Sequence, residues 1–442
     1  MKINVLASPA SQLSEKLVSG ETPISIHGFG YVGSAIASAF LQKGCSIIAH
    51  DIKDDLIQSI NLGEWETADD RRISEIIRKG FEEKKITATT NYQEAVSCST
   101  FHIITVPVLI NRKKGKVFVD LSLMRDACRN IGKYIERGDA VSIETTLPPG
   151  TTEKILKPLL EKESKFIAGE DFALIYSPER VLVGRAVDDI VSNYPKIVAG
   201  FGQKSLEVGI TLYSIVAKKG VLKISSIKAA EAEKVFEGIY RDVNIALANE
   251  LSDYCGSSDL DYWEIMNAAN SQPYSHLHKP GVGVGGACIP VYPYFIISNM
   301  KRKLMLTYEA RKINEERPKK VAKKALNEFT SKYGSLKTAK ITILGLSFRG
   351  DIADNRLSPA IDMARYFSRR RYDVRVHDPY IYKDTKLPKN VKFTNNLEEA
   401  LRETNIIILA TDHHEYRKLT VDQIRNFCSK NNIIEDPKGI LA

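Results

Sequence analysis

What this chain lacks narrows its class before any motif is read. No apolar run approaches the roughly 18–20 residues of a bilayer-spanning helix, and the N-terminus has no charged-then-apolar signal pattern. A protein of the cytoplasm, with no membrane partner, is the expectation. The six cysteines (Cys45, Cys98, Cys128, Cys255, Cys288, Cys428) are widely scattered and include no C-x-x-C pair. That argues against a disulfide framework and against a zinc site, so no metal is expected. No low-complexity tract is present, and no zinc-finger or RRM motif accompanies the net charge of +9. The basic residues are spread along the chain, so attraction of anionic small molecules explains the charge more simply than nucleic acid does.

What is present is ordinary globular composition, 43% hydrophobic and 26% charged, over 442 residues. That length exceeds one hydrophobic core and predicts two or three domains.

The first clear signal is a dinucleotide fingerprint. Ile24–His27 reads as a short apolar strand that runs into Gly28-Phe29-Gly30-Tyr31-Val32-Gly33. The small, apolar Ser34–Gln42 segment suits a helix packed closely on a sheet, and Ile47–His50 is a second strand ending at Asp51. Glycines in that turn let a pyrophosphate approach a helix N-terminus, whose dipole favours anions. Asp51, 23 residues after the first glycine, can accept from a ribose diol and would repel a 2′-phosphate. NAD rather than NADP is therefore the expected cofactor.

Further strands are predicted at Phe101–Val106, Ala140–Glu144 and Phe172–Tyr176, alternating with helices as in a parallel doubly wound sheet. Thr105, and Thr146 within Glu144-Thr145-Thr146-Leu147-Pro148-Pro149-Gly150, fall at strand ends, where such sheets bind ligands. The pattern then changes to long helices. Ile227–Cys255 has no proline and one internal glycine, Gly238, and reads as a spine helix with a dimer contact along it. A second α/β unit begins near Asn314, with strands at Lys340–Leu344, Asp373–His377, Val391–Thr394, Asn405–Thr411 and Asn432–Glu435, but no second G-x-G-x-x-G. The fold class is α/β: two Rossmann-like doubly wound domains (1–205 and 312–442) joined by a central helical domain (206–311). Residues 1–21 form an N-terminal extension of unassigned purpose.

Between the two α/β units lies Gly281-Val282-Gly283-Val284-Gly285-Gly286-Ala287-Cys288-Ile289-Pro290. Glycines let a ligand come close to the main chain, and a thiolate reached there is a strong nucleophile. A tight turn before a buried cysteine explains the same residues equally well. Hydride transfer alone needs only a base and NAD, whereas a cysteine becomes useful when an aldehyde must be trapped and oxidised to a thioester.

Seven motifs in order, GFGYVG, ETTLPPGTTE, YSPERVLVGRA, YRDVNIALANE, GVGVGGACIP, LGLSFRGDIADNRLSPA and VHDPY, make the chain resemble the UDP-sugar 6-dehydrogenase family. The likeness covers Ile24 to Ile440. Pro178-Glu179-Arg180-Val181 and Cys288-Ile289-Pro290 resemble the branch acting on UDP-N-acetylmannosamine or UDP-N-acetylglucosamine. The resemblance implies a UDP-sugar substrate, two NAD per turnover and a homodimer through the central helix. By position it implies Cys288 as nucleophile, Lys234 as the cation that stabilises the oxyanion, and Glu179 as an acid/base or water-positioning group. Arg180, Arg241, Asn244, Gly285, Arg349 and Arg356 become candidates for the substrate.

Each has a plainer alternative: a solvated helix lysine for Lys234, a carboxylate held by Arg180 or Arg185 for Glu179, and ion pairs with Asp351 or Asp354 for Arg349 and Arg356. His377-Asp378-Pro379 reads as a strand end and turn rather than a catalytic dyad. Three positions depart from the family pattern. Gly238 stands for an asparagine, Tyr292 for an aspartate and Ala287 for a histidine. The first two exchanges remove polar groups expected near the nucleophile, which predicts weaker turnover.

Overall fold

A computed structural model describes residues 2–67, 70–113, 116–298, 304–334, 339–382 and 386–441. The chain divides into two compact units, Met1–Phe236 with Tyr294–Ser298, and Glu237–Pro293 with Asn299–Ala442.

The first unit carries strands β1 (Ile24–His27), β2 (Ile47–His50), β3 (Ile86–Thr89) and β4 (Phe101–Ile104). A hairpin of β5 (Leu109–Lys113) and β6 (Lys116–Asp120) follows, then β7 (Ala140–Ile143), β8 (Ala173–Tyr176), β9 (Lys196–Gly200) and β10 (Val221–Lys223). The sheet order is β10-β9-β8-β7-β4-β1-β2-β3. Its pairs are parallel except β8 with β9. Strands β1, β2, β4, β7 and β8 are buried at every residue. Helices on both faces of a parallel sheet require this, and it explains why these strands read as unbroken apolar runs. Strand order reverses between β1 and β4, which places the ligand crevice at their carboxyl ends.

The N-terminal extension belongs to this unit. Its helix, Ala10–Ser19, buries Leu13 and Leu17 in the core that also holds Val5, Ile24 and Ile36. Gly20 ends the helix in the left-handed conformation.

The second unit has strands β11 (Lys340–Leu344), β12 (Asp373–His377), β13 (Val391–Thr394), β14 (Ile406–Leu409) and β15 (Ile433–Glu435). They form an all-parallel sheet in the order β13-β12-β11-β14-β15, reversing between β11 and β14. Two long helices accompany the sheets. The one expected over 227–255 runs Ile227–Ser257, and the division between the units falls inside it. The other, Met305–Tyr333, spans the position 311/312 and contains Pro318. Among the described residues, no helix is long and apolar enough to cross a membrane.

Candidate active site

In the first unit, the turn after β1 is built for a pyrophosphate. Gly28 has φ +96°, and a Cβ there would lie 3.0 Å from the backbone nitrogen of Val106. A Cβ on Gly33 would meet the Gly28 carbonyl oxygen at 2.3 Å, so only glycine lets the helix pack this closely. Gly30 opens onto free space and precedes the helix Tyr31–Leu41, whose N-terminus has no side-chain cap. An uncapped helix N-terminus favours an anionic ligand. The Asp51 carboxylate accepts from the Phe29 N–H at 2.8 Å, while Thr105 Oγ1 donates to the Gly28 carbonyl at 2.6 Å. Tyr31 turns its hydroxyl away to accept from Gly184 N–H at 2.9 Å. Val32 packs partly on the core, and Thr146 is half-buried past the end of β7. The turn, the open helix end and the acid fit NAD.

In the same sheet, past the ends of β7 and β8 and at the start of β9, lies a buried charge cluster. Glu179, 8% exposed, accepts from the Arg180 backbone N–H at 2.8 Å, so Arg180 does hold it, through the main chain. Its partner is Lys196, 5% exposed, which also donates to Glu144 at 2.6 Å. Tyr213 donates to the other Glu144 oxygen at 2.7 Å. Burial pushes the Glu144 carboxyl up to about 7, against the pull of Lys196. Arg180 points elsewhere: its guanidinium donates to the Pro195 carbonyl and lies 5.0 Å from the Tyr194 ring centre.

On the long helix, Lys234 is buried, at 5% exposure, and not a solvated surface lysine. One turn earlier Glu231 accepts from the N–H groups of Gly150 and Thr152, pinning the Leu147–Thr152 loop. Burial raises its carboxyl to about 7.

In the second unit, a cavity of about 320 Å³ opens at the switch point, beyond β11 and β14. Lys279, Arg349, Arg417 and Lys438 line it against a single acid, Asp412, and Gly285 and Ile289 form part of its wall. Cys288, between those two, is exposed rather than buried. The glycines before it have a packing reason: a Cβ on Gly285 would meet Phe348 Cβ at 2.6 Å, and Gly286, at φ +90°, donates its N–H to the Arg356 carbonyl at 2.8 Å. The loop is gripped further back by Asn249, which accepts from Gly281 N–H at 2.9 Å, and by Arg317, which donates to the Gly281 carbonyl. Asn249 is thus a fully buried brace.

Other candidates fall outside this wall. Arg356 makes a bidentate pair with Asp354, its plainer alternative. Asn244 donates back to the Tyr240 carbonyl at 2.7 Å. Arg241 is half-buried and, with His276, helps keep His278 below its ordinary pKa, after burial as the larger cause.

The two departures Gly238 and Tyr292 are one feature. A Cβ on Gly238 would lie 2.4 Å from Tyr292 Cδ2, so the missing side chain is the notch the tyrosine ring fills. Tyr292 itself begins a helical turn by donating its N–H to the Cys288 carbonyl at 3.0 Å.

A pyrophosphate-ready turn on one sheet and a cation-lined cavity on another define a two-sheet dehydrogenase that uses NAD. Family models identify which. The UDP-glucose/GDP-mannose dehydrogenase NAD binding domain matches residues 22–217, the central domain 228–316 and the UDP binding domain 342–442, so the chain belongs to that family. It is 32% identical over 421 residues to the UDP-N-acetyl-D-mannosamine dehydrogenase of Pyrococcus horikoshii, covering 95% of this chain and 96% of that one. The enzyme of the same name from Methanococcus aeolicus is 31% identical over 420 residues, covering 95% and 91%. The solved structure of the Pyrococcus horikoshii UDP-D-ManNAc dehydrogenase superposes with a TM-score of 0.87 at 31% identity, covering 95% of this chain and 96% of that chain.

Proposed function

We propose that the chain oxidises the C6 hydroxyl of a UDP-N-acetylhexosamine, UDP-N-acetyl-D-mannosamine, to the uronate through a thioester on Cys288. The observation that carries the reading is the exposed Cys288 on a braced glycine loop, flanked by residues that wall a cation-lined cavity. Relatives named for that substrate along nearly the whole chain support the choice of sugar.

In this mechanism Gly28, Gly30, Gly33 and Asp51 hold the cofactor and Arg349 and Lys438 face the diphosphate. NAD supplies, when bound, the hydride acceptor for both oxidations. Glu179 takes the hydroxyl proton, directly or through water, as C6 becomes an aldehyde. The Cys288 thiolate then adds to the aldehyde carbon, and the role of stabilising the charge on the carbonyl oxygen falls, by the family resemblance, to Lys234. Loss of hydride from that carbon leaves a thioester. Water positioned by Glu179 adds to it, the C–S bond breaks, and thiol and uronate are released.

The exposed apolar residues Tyr240, Leu247 and Tyr254 recur every seven positions on the long helix, a spacing that suits a second copy of the chain. All six cysteines are free, in keeping with a reducing compartment such as the cytoplasm.

Counting NADH released per sugar consumed tests the reading: two are expected with UDP-N-acetyl-D-mannosamine. A better response to UDP-N-acetylglucosamine or UDP-glucose would move the substrate. Tight UDP-sugar binding without NADH would make the chain a binder. Cys288→Ser is expected to lower uronate release by roughly a thousand-fold or more, and release at the parental rate would sink the thioester.

A further inference from the structure

We propose that Lys196 is the positioning residue for Glu179, and that Glu144 is a second carboxylate competing for the same ammonium. The proton on Glu144 then sets how firmly Glu179 is held. This rests on the role given to Glu179 above.

Three strands bring the groups together. Glu144 follows β7 directly, Glu179 lies three residues past β8, and Lys196 opens β9. Because β9 runs antiparallel to its neighbour β8, its first residue arrives at the end of the sheet where the other two strands finish. A parallel β9 would deliver Lys196 to the opposite edge. Lys196 donates to both carboxylates, and its ammonium sits 5.1 Å from the Tyr213 ring centre.

The rest of the shell is polar but short of charge. Tyr213 Oη bonds Glu144 at 2.7 Å and Ser142 at 2.7 Å, Ser177 donates to the Ile197 carbonyl, and Tyr176 donates to the Thr145 carbonyl. Arg180 and Tyr194 face each other beside Glu179 rather than the ammonium. Lys196 thus bonds two buried carboxylates at once, and Glu179 also accepts from the Arg180 backbone N–H at 2.8 Å. A buried ion of this kind is costly when its partners fail to compensate it. With Glu144 neutral, Lys196 and Glu179 form a balanced pair. With Glu144 ionised, the cluster carries a net negative charge and the ammonium is shared. Burial places the Glu144 carboxyl at about 7, between these two arrangements at neutral pH.

The intact enzyme is assayed for NAD reduction by UDP-N-acetyl-D-mannosamine from about pH 5.5 to about pH 9. The parental kcat profile is expected to carry a step near pH 7, which Glu144→Gln removes, because an amide cannot ionise. Lys196→Met is expected to lower kcat roughly ten-fold or more with KM nearly unchanged, and Lys196→Arg to recover part of the loss.

Infrared titration of the ligand-free protein gives a readout independent of turnover: a buried carboxyl band that titrates near pH 7 and is absent from Glu144→Gln. A band or step that persists in Glu144→Gln overturns the proposal, as does parental kcat in folded Lys196→Met. If Lys196→Met does not fold, Glu144→Gln and Lys196→Arg still decide it. Glu179→Gln separates the two layers: parental turnover there would defeat the role of Glu179 itself, whatever the titration shows.

Discussion

The two sheets are wired alike and use the same turn to opposite ends. In the first, Gly28 follows β1 at φ +96°, its N–H donating to the His50 carbonyl at 2.8 Å, and Asp51 at the end of β2 receives the next N–H, that of Phe29. In the second, Gly345 follows β11 at φ +98°, its N–H donating to the His377 carbonyl at 2.7 Å, and Asp378 receives the next two, from Leu346 and Ser347. The difference is what surrounds the acid. Asp51 is half-buried, and beyond Phe29 it accepts from Lys53 N–H at 3.2 Å. Asp378 is fully buried and takes further bonds from Tyr380, Ile381 and His413. Although burial pushes its carboxyl up, His413 and the backbone N–H groups of Ser347 and Tyr380 pull it down to about 2.

The path after the turn differs too. The first turn enters its helix at once at Tyr31. The second detours through the segment that packs on Gly285 and Gly286 before a helix capped by Ser358. One geometry therefore offers an acid and an open helix end to a ligand. The other spends its acid on the fold and turns its loop toward the cysteine segment.

The largest effect that tests this contrast comes from exchanging each acid for its amide. Asp378→Asn is expected to cost about 2–3 kcal/mol in chemical denaturation with little change in the KM for NAD. Asp51→Asn should raise that KM roughly ten- to hundred-fold at nearly unchanged stability; equal behaviour of the two would erase the distinction. The pH dependence follows in sign. A carboxyl held at about 2 in the fold, below its unfolded value, stabilises fully above the unfolded pKa. That stability, about 2 kcal/mol, is lost as pH falls from about 4 through about 2, so Asp378→Asn should flatten the acid limb of the denaturation curve.

A middle-sized effect sharpens the picture of the second unit. Gly238→Ala should destabilise by about 1–3 kcal/mol, because its Cβ would overlap the Tyr292 ring. In a Tyr292→Ala background the same change should stabilise by up to about 1 kcal/mol through helix propensity. An unchanged sign in the second background would show that the ring and the notch are not coupled. Smallest is Tyr31→Phe, which removes the acceptor for Gly184 N–H and should cost about 0.5–1.5 kcal/mol by thermal denaturation.

Much of the site was legible in the chain. The three glycines, the strand before them and Asp51 act within some thirty residues, so local spacing alone carried the turn. The exposed Cys288 followed from its glycine frame and family motifs, though the reason for the glycines, close passage of the Phe348 and Arg356 segment, did not. Glu144 stood at the head of a recognised motif without attracting notice. Lys196 had no signal, because nothing in the sequence announces that β9 runs backward. Gly238 and Tyr292 read as two separate losses until the structure put one inside the other.

The sequence by itself determined the two βαβ frameworks, the cofactor turn and the position of the thiol. Each is written in hydrophobic period, glycine spacing or motif order along a short stretch of chain. Only the tertiary structure decided which buried charges share a partner, which acid remains available to a ligand, and which side chain fills the gap left by a glycine. Those outcomes depend on groups 17, 35, 52 and 54 residues apart meeting where water is excluded. There an unpaired charge or an empty volume costs several kcal/mol, and the partner that relieves it is chosen by strand direction and packing.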